Sequence, residues 1–209
     1  SYYMHTGVLL NKTKIQLIHF SGFEKTYQAW NGVPEDSLKT NPRFNSAGTD
    51  FGANPVPWGN QIDNYRQHYV QLFLNQTLSR YWSLNVAGFT TIGKGYYEEY
   101  KVDQKLTKYQ LVSATAARAD VIRRRWLDNI YYGGLLGIGY ENKKVDVKFG
   151  GMFSQYQGKH YGTVVWCREC ETVNSANHYY YSTGLKRDIN FFAKANYSPV
   201  KKIVLHADV

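Results

Sequence analysis

Hydrophobic and polar residues alternate strictly in several stretches of this chain. The clearest is Val145-Asp146-Val147-Lys148-Phe149-Gly150, with Val145, Val147, Phe149 and Phe153 on one side and Asp146, Lys148 and Ser154 on the other. A period of two sends successive side chains to opposite faces of an extended strand. Trp82, Leu84 and Val86 alternate likewise with Ser83, Asn85 and Ala87. Ile189, Phe191, Ala193 and Ala195 alternate with Asn190, Phe192, Lys194 and Asn196, and Ile203, Leu205, Ala207 and Val209 with Val204, His206 and Asp208. Ile130, Tyr132, Leu136, Ile138 and Tyr140 form one set against Tyr131, Gly133, Leu135, Gly137 and Gly139. Less regular segments at 14–21 and 65–75, and a short one at 4–10, bring the predicted strands to about eight.

The spacing of these strands narrows the fold further. Four connections are short (11–12, 76–80, 141–144 and 198–201) and rich in Asn, Lys, Ser and Pro, the residues of tight turns. Three are long, at 24–62, 98–128 and 156–186, and short and long alternate throughout. Loops of ~30 residues at every second connection are unusual in a soluble sandwich. They are expected in an antiparallel transmembrane β-barrel, with short periplasmic turns and long extracellular loops. Strands of about ten residues also match a tilted bilayer crossing. Aromatic residues fall at both strand ends: Tyr81, Trp82, Tyr140 and Tyr197 near the short turns, and Tyr96, Tyr97, Tyr100, Trp126, Tyr131 and Tyr156 near the long loops. Such rings gather where water meets hydrocarbon, although cross-strand pairing in a soluble sheet also uses them.

Composition agrees with a β-rich fold. Of 209 residues 43% are hydrophobic, 19 are Tyr and 18 are Gly, while only 5 are Pro. No apolar run approaches the ~18 residues of a membrane-crossing helix, a test that a β-barrel passes by because its strands alternate. The net charge of +9 admits nucleic acid or an anionic surface as partner. The basic residues are spread over turns and rims rather than gathered in one stripe, which argues against nucleic acid.

Several segments resemble the β-barrel of TonB-dependent outer-membrane receptors of Gram-negative bacteria. They are Glu24-Lys25-Thr26-Tyr27-Gln28-Ala29-Trp30-Asn31-Gly32-Val33-Pro34, Tyr81-Trp82-Ser83-Leu84-Asn85-Val86 and Gly93-Lys94-Gly95-Tyr96-Tyr97-Glu98-Glu99-Tyr100-Lys101. Arg124-Arg125-Trp126-Leu127-Asp128-Asn129 and Tyr161-Gly162-Thr163-Val164-Val165-Trp166 complete the set, which runs over nearly the whole chain. The resemblance implies a barrel of about 22 strands with a plug domain inside. It also implies capture of a scarce nutrient on the outer face: an iron–siderophore complex, haem, cobalamin, a glycan or a peptide. The expected partners are the lipid bilayer, that extracellular nutrient, and the TonB complex acting through a plug. On this reading residues 1–209 are part of a single barrel domain in the bacterial outer membrane. The stretch has no plug, and its alternation is still running at Val209, so it reads as a mid-barrel excerpt.

Transport of this kind makes no covalent bond, so no enzyme activity and no cofactor are expected. Binding chemistry is sought in the long connections. In the first, Tyr27, Trp30 and Trp58, with Phe44, Phe51 and Tyr65, offer flat rings for a sugar, macrocycle or siderophore, or else pack the loop on itself. In the second, Arg123, Arg124 and Arg125, with Arg118, suit carboxylate or phosphate, or form a solvated basic rim. In the third, Cys167-Arg168-Glu169-Cys170 is a disulfide candidate in an oxidising compartment. His160 and His178 lie near it, but the spacing matches no strong metal signature and none is assigned. Glu98 and Glu99 are adjacent, point apart and gather nothing else around them. Two other architectures stay open on the sequence: a complete small eight-stranded outer-membrane barrel, and a soluble carbohydrate-binding β-sandwich.

Overall fold

A computed structural model describes residues 1–28, 32–44 and 62–209. Those residues form one antiparallel sheet of eight strands in sequential order. The strands are β1 (Tyr2–Leu10), β2 (Thr13–Tyr27), β3 (Ile62–Thr77), β4 (Trp82–Lys105), β5 (Arg118–Glu141), β6 (Val145–Cys167), β7 (Tyr180–Val200) and β8 (Ile203–Asp208). A single helical turn, α1 (Glu35–Leu38), and a 3-10 turn at Leu106–Tyr109 are the other regular elements. No helix among the described residues is long and apolar enough to cross a membrane.

The sheet is open. β1 and β8 are its two edges and do not pair with each other, so the eight strands do not close into a small complete barrel. The described residues supply no second sheet to cover the first, as a sandwich requires.

The turns follow from local chemistry. Asn11 takes the left-handed conformation in the two-residue β1–β2 turn, a conformation Asn tolerates well. In the β5–β6 turn the Asn142 side-chain oxygen accepts from the Lys144 and Val145 N–H groups at 2.8 and 2.9 Å. Ser79 Oγ accepts from the Tyr81 and Trp82 N–H groups before β4. Such side-chain bonds to the backbone stabilise turns over continued strand.

Two of the three long connections are shorter than the alternation indicates. They span residues 106–117 and 168–179, because β4, β5 and β6 run on for 24, 24 and 23 residues. At ~3.3 Å per residue, 24 residues extend about 80 Å, far beyond an apolar band ~25 Å tall even when tilted. Residues 98–105 and 118–128 are therefore paired strand, and Arg118, Arg123, Arg124 and Arg125 stand on β5 rather than in a loop.

Register sorts the side chains into two faces. One row joins Val8, Ile15, Leu74, Val86, Leu136, Gly151 and Phe191 across seven strands. The rows beside it on that face hold Leu84, Ile138 and Phe149, and then Leu17, Leu72, Phe153 and Ile189. The opposite face of the same strands carries Lys14, Asn75, Asn85, Lys148 and Lys194. Among the described residues nothing covers the apolar face: Ile189 is 65% exposed and Phe191 72%. The alternating apolar residues are thus on the open surface of one sheet, not in a closed interior.

The apolar face has defined borders. Trp82 and Tyr140 pack at 5.0 Å on the short-turn side. Across β4 to β7 the rows from Leu84 to Gly88 are apolar; the next two mix Val70, Tyr132, Ile92, Ile130 and Leu185 with His19, Thr90, Gln155, Arg187, His68 and Gln157. The far-end aromatics divide between faces. Tyr96 and Trp126 share the apolar side, whereas Tyr97, Tyr131 and Tyr156 lie on the polar side.

Candidate ligand-binding surface

The buried clusters lie at the long-loop end. Leu106, Tyr109, Ala119, Val121, Val164 and Cys167 form one, with Leu111, Cys170, Val173 and Tyr179 packed on it. It sits on the polar face of the sheet, since Val121 is two residues from Arg123 and pairs with Cys167. Both short loops therefore fold over that face. The disulfide candidate is present: Cys167 and Cys170 are bonded. It ties the start of the second loop to the cluster it caps.

The arginine run splits by strand alternation. Arg124 Nε donates to Glu98 Oε2 at 2.7 Å on one face, and its guanidinium lies 4.3 Å from the Tyr96 ring. Arg123 meets Glu99 at 2.7 Å on the other, where Lys101 also reaches Glu99 at 3.3 Å. Glu98 and Glu99 do point apart, but each gathers an arginine, which the sequence reading did not anticipate. Gln28 adds to this junction by donating to the backbone carbonyls of Ile62 at 3.0 Å and Glu98 at 2.8 Å.

Arg125 is different. Its guanidinium lies 5.3 Å from the Tyr97 ring and 5.9 Å from the Tyr180 ring, with Nε donating to the Tyr180 hydroxyl at 3.4 Å. Among the described residues no carboxylate comes within ion-pair distance of it. A Cβ at Gly162 would collide with the Tyr179 and Tyr180 rings, so this glycine is what lets both rings lie against the sheet. Arg123 also donates to the Tyr109 hydroxyl at 3.2 Å. The neighbouring Tyr179 hydroxyl is buried and has no hydrogen-bond partner among the described residues. Burial pushes its pKa up to about 12, against the lowering effect of Arg123.

A second group on the polar face was not visible in the sequence. Tyr69 donates to Gln67, Gln67 to the Tyr65 hydroxyl at 3.4 Å, and Asn129 to that same hydroxyl at 3.3 Å. Tyr156 completes the chain by donating to Asn129 Oδ1 at 3.0 Å. Three strands contribute, and the register alone brings them together. Glycines form its floor: a Cβ at Gly93 would meet the Tyr65 ring at 2.8 Å, and one at Gly158 the Tyr156 ring at 2.9 Å. The Phe20 and Tyr69 rings stack at 4.3 Å beside it. The β3 end of this chain, Tyr65, Gln67 and Tyr69, lines an open cleft of about 640 Å³ with Tyr3, Phe20 and Glu24, whereas Asn129 and Tyr156 do not line it.

Of the remaining candidates, Tyr27 ends β2 and is 73% exposed. It lies in the row of Ile62, away from the cleft. Trp30 and Trp58, like Phe51, lie outside the described residues. His160 and His178 belong to opposite faces, since His178 packs on Tyr161 at 4.3 Å and Tyr161 adjoins His160 on the strand. Among the described residues no group of three His, Cys, Asp or Glu is placed to hold a metal ion.

Flat rings, amide groups and the Arg125 guanidinium, which no carboxylate among the described residues pairs with, suit the reversible binding of a polar ligand. No family model and no curated protein matches the chain.

Proposed function

We propose that these residues are part of the β-barrel of a TonB-dependent outer-membrane receptor, a transport protein and not an enzyme. Its cargo is a scarce nutrient of the iron–siderophore, haem, cobalamin or glycan class. The reading rests on the resemblance of the sequence segments, and one observation carries the membrane part of it. That observation is the single sheet with an apolar face around Leu84, Leu136 and Phe191 that no described residue covers, bordered by Trp82 and Tyr140 toward the short turns and backed by a polar face.

On this reading the apolar face meets lipid in the bacterial outer membrane, and the polar face looks into a hydrated lumen. The open edges at β1 and β8 call for further strands, because an unpaired edge in hydrocarbon leaves backbone groups without partners. The Tyr65–Asn129–Tyr156 chain and Arg125 face the lumen, where they meet the nutrient or a plug through which TonB acts. No role with nucleic acid is included.

Spin labels test the membrane part. Labels at Leu136 and Phe191 are expected to be relaxed by lipid-soluble oxygen, and labels at Asn85 and Lys148 by a water-soluble nickel chelate. The reverse pattern, or equal access at all four, overturns it. The transport part is tested by growth on single iron, haem, cobalamin or glycan sources after deletion of the gene. Unimpaired growth on every source overturns it.

A further inference from the structure

On the polar face one row near the long-loop end carries opposite charges on two of its strands. It runs Thr26, Asp63, Tyr97, Arg125, Gly162 and Tyr180 across β2 to β7. Asp63 is half-buried, and Glu24, in the adjoining row, is exposed and accepts from the Thr26 hydroxyl at 3.3 Å. Among the described residues no Lys or Arg forms an ion pair with either carboxylate. Arg125 stands on the other side of Tyr97. Its Nε donates to the Tyr180 hydroxyl, and among the described residues its two Nη groups have no partner. Arg123, two positions away on the same face, is instead taken up by Glu99 and the Tyr109 hydroxyl. Glycines keep the ground along this row low. Gly162 puts no side chain between Arg125 and Tyr180, and a Cβ at Gly95, in the adjoining row, would meet the Tyr65 ring at 2.5 Å.

We propose that this row binds a linear peptide of about three residues, with its terminal carboxylate on the Arg125 Nη groups and its terminal ammonium toward Asp63 and Glu24. The inference rests on the reading of a hydrated lumen above and adds a peptide to the cargo classes named there. A guanidinium edge with two open N–H groups matches a carboxylate as a bidentate fork. Side chains stand roughly perpendicular to a sheet, so groups two strands apart in one row are held about 10 Å from each other. An extended chain covers about 3.5 Å per residue, so three residues span that gap and a single amino acid does not. A ligand anionic at both ends would set like charge against Asp63 and Glu24, which leaves a cation as the matching second end. The Tyr97 and Tyr65 rings between the two ends give the peptide side chains apolar surface to rest on.

The test titrates the intact protein in detergent micelles by calorimetry with trialanine, N-acetyl-trialanine, trialanine amide, alanine and inorganic phosphate. Trialanine is expected to bind about tenfold more tightly than either blocked form, since each block removes one charge-assisted contact. Alanine and phosphate are expected to bind more weakly still. Arg125→Gln is expected to abolish the preference for trialanine over its amide and to keep the preference over the N-acetyl form. Asp63→Asn with Glu24→Gln is expected to do the converse. The preference that each variant keeps shows that it is folded. Lys148→Gln, on the same face toward the short turns, leaves both preferences unchanged. Equal binding of N-acetyl-trialanine overturns the inference in favour of a plain carboxylate site, and equal binding of phosphate in favour of an unselective anion site. A variant that loses both preferences overturns the assignment of the two ends. Absence of trialanine binding overturns this inference alone when a label at Asn85 is still reached by the nickel chelate. A label that the chelate does not reach overturns the lumen reading with it.

Discussion

Glu98 and Arg124 meet at 2.7 Å across β4 and β5, and only 2% of the Glu98 side chain is exposed. A carboxylate this buried is tolerable only with a charge partner and hydrogen bonds around it. The pair lies beyond the apolar band, where β4 and β5 continue with polar residues on both faces. Glu99 and Arg123 repeat the arrangement on the opposite face. These cross-strand pairs account for the continued pairing in a region where hydrophobic alternation has ended.

Arg124→Met is therefore expected to destabilise the long-loop half of the sheet by about 3 kcal/mol, the cost of removing one partner from a buried pair. Arg125→Met, which removes no ion pair, is expected to change stability by under ~1 kcal/mol. Denaturant unfolding of the intact protein in detergent checks both values. Equal losses in the two variants would remove the special place given to the Glu98 junction.

Asp120 contributes an acid-sensitive part of the stability. Burial raises the pKa of this carboxyl, but the Asp103 N–H at 3.0 Å, the Tyr100 hydroxyl at 2.7 Å and Arg168 at 3.0 Å outweigh burial and hold it below the ordinary value. A depressed folded-state pKa gives stabilisation that is complete above the unfolded value of ~3.9 and is lost as pH falls through the folded value. Trp166 stacks on Tyr100 at 6.1 Å and reports on this corner. Its fluorescence is expected to hold steady from neutral pH to about 4 and to change below that. Asp120→Asn should abolish the acid transition, and an unaltered transition in that variant would assign it to another group.

The eight strands could be read from the sequence because the two faces of the sheet differ so sharply in polarity around Leu84, Leu136 and Phe191. Past Gly93 that contrast fades. Residues 98–105 and 118–128 carry charges on both faces, so no period of two marks them as strand. The arginine run looked like one basic patch because adjacency in sequence hides alternation; on the strand Arg123 and Arg125 face one way and Arg124 the other. The Tyr65–Asn129–Tyr156 chain was invisible for a related reason. Its members are up to 91 positions apart and become neighbours only when β3, β4, β5 and β6 take their register. The disulfide was accessible to sequence reasoning because Cys167 and Cys170 are the only two cysteines.

Glycine on the polar face gives a third prediction. A Cβ at Gly133 would meet the Phe89 ring at 2.6 Å, and one at Gly150 the Leu136 carbonyl oxygen at 2.6 Å. A Cβ at Gly88, which lies on the apolar face, would meet nothing within 4 Å. Gly133→Ala and Gly150→Ala are expected to cost about 1–3 kcal/mol through forced backbone or ring shifts. Gly88→Ala is expected to be neutral or slightly stabilising, since Gly in a strand interior carries an entropic cost. Thermal melts of the three variants side by side decide this, and a loss at Gly88 as large as at Gly133 would overturn it.

The two faces of β4 and β5 give the last prediction. Leu136 lies mid-way along the apolar band and pairs with Val86, while Asn85 is on the opposite face one residue away. If lipid covers the first and water the second, an arginine has very different costs at the two sites. In hydrocarbon the guanidinium must be desolvated or must drag water and headgroups inward, at about 2–4 kcal/mol near the midplane. On the wet face it stays hydrated beside Lys148 and Ser83, and only mild like-charge repulsion opposes it. Leu136→Arg is therefore expected to lose about 2–4 kcal/mol in bilayer unfolding measurements, and Asn85→Arg under ~1 kcal/mol. In detergent micelles, which reshape around a charge more readily than a bilayer, the gap between the two should narrow. Equal costs in the bilayer would mean that the apolar face does not meet hydrocarbon. The apolar face around Leu84, Leu136 and Phe191 would then need a protein partner to cover it.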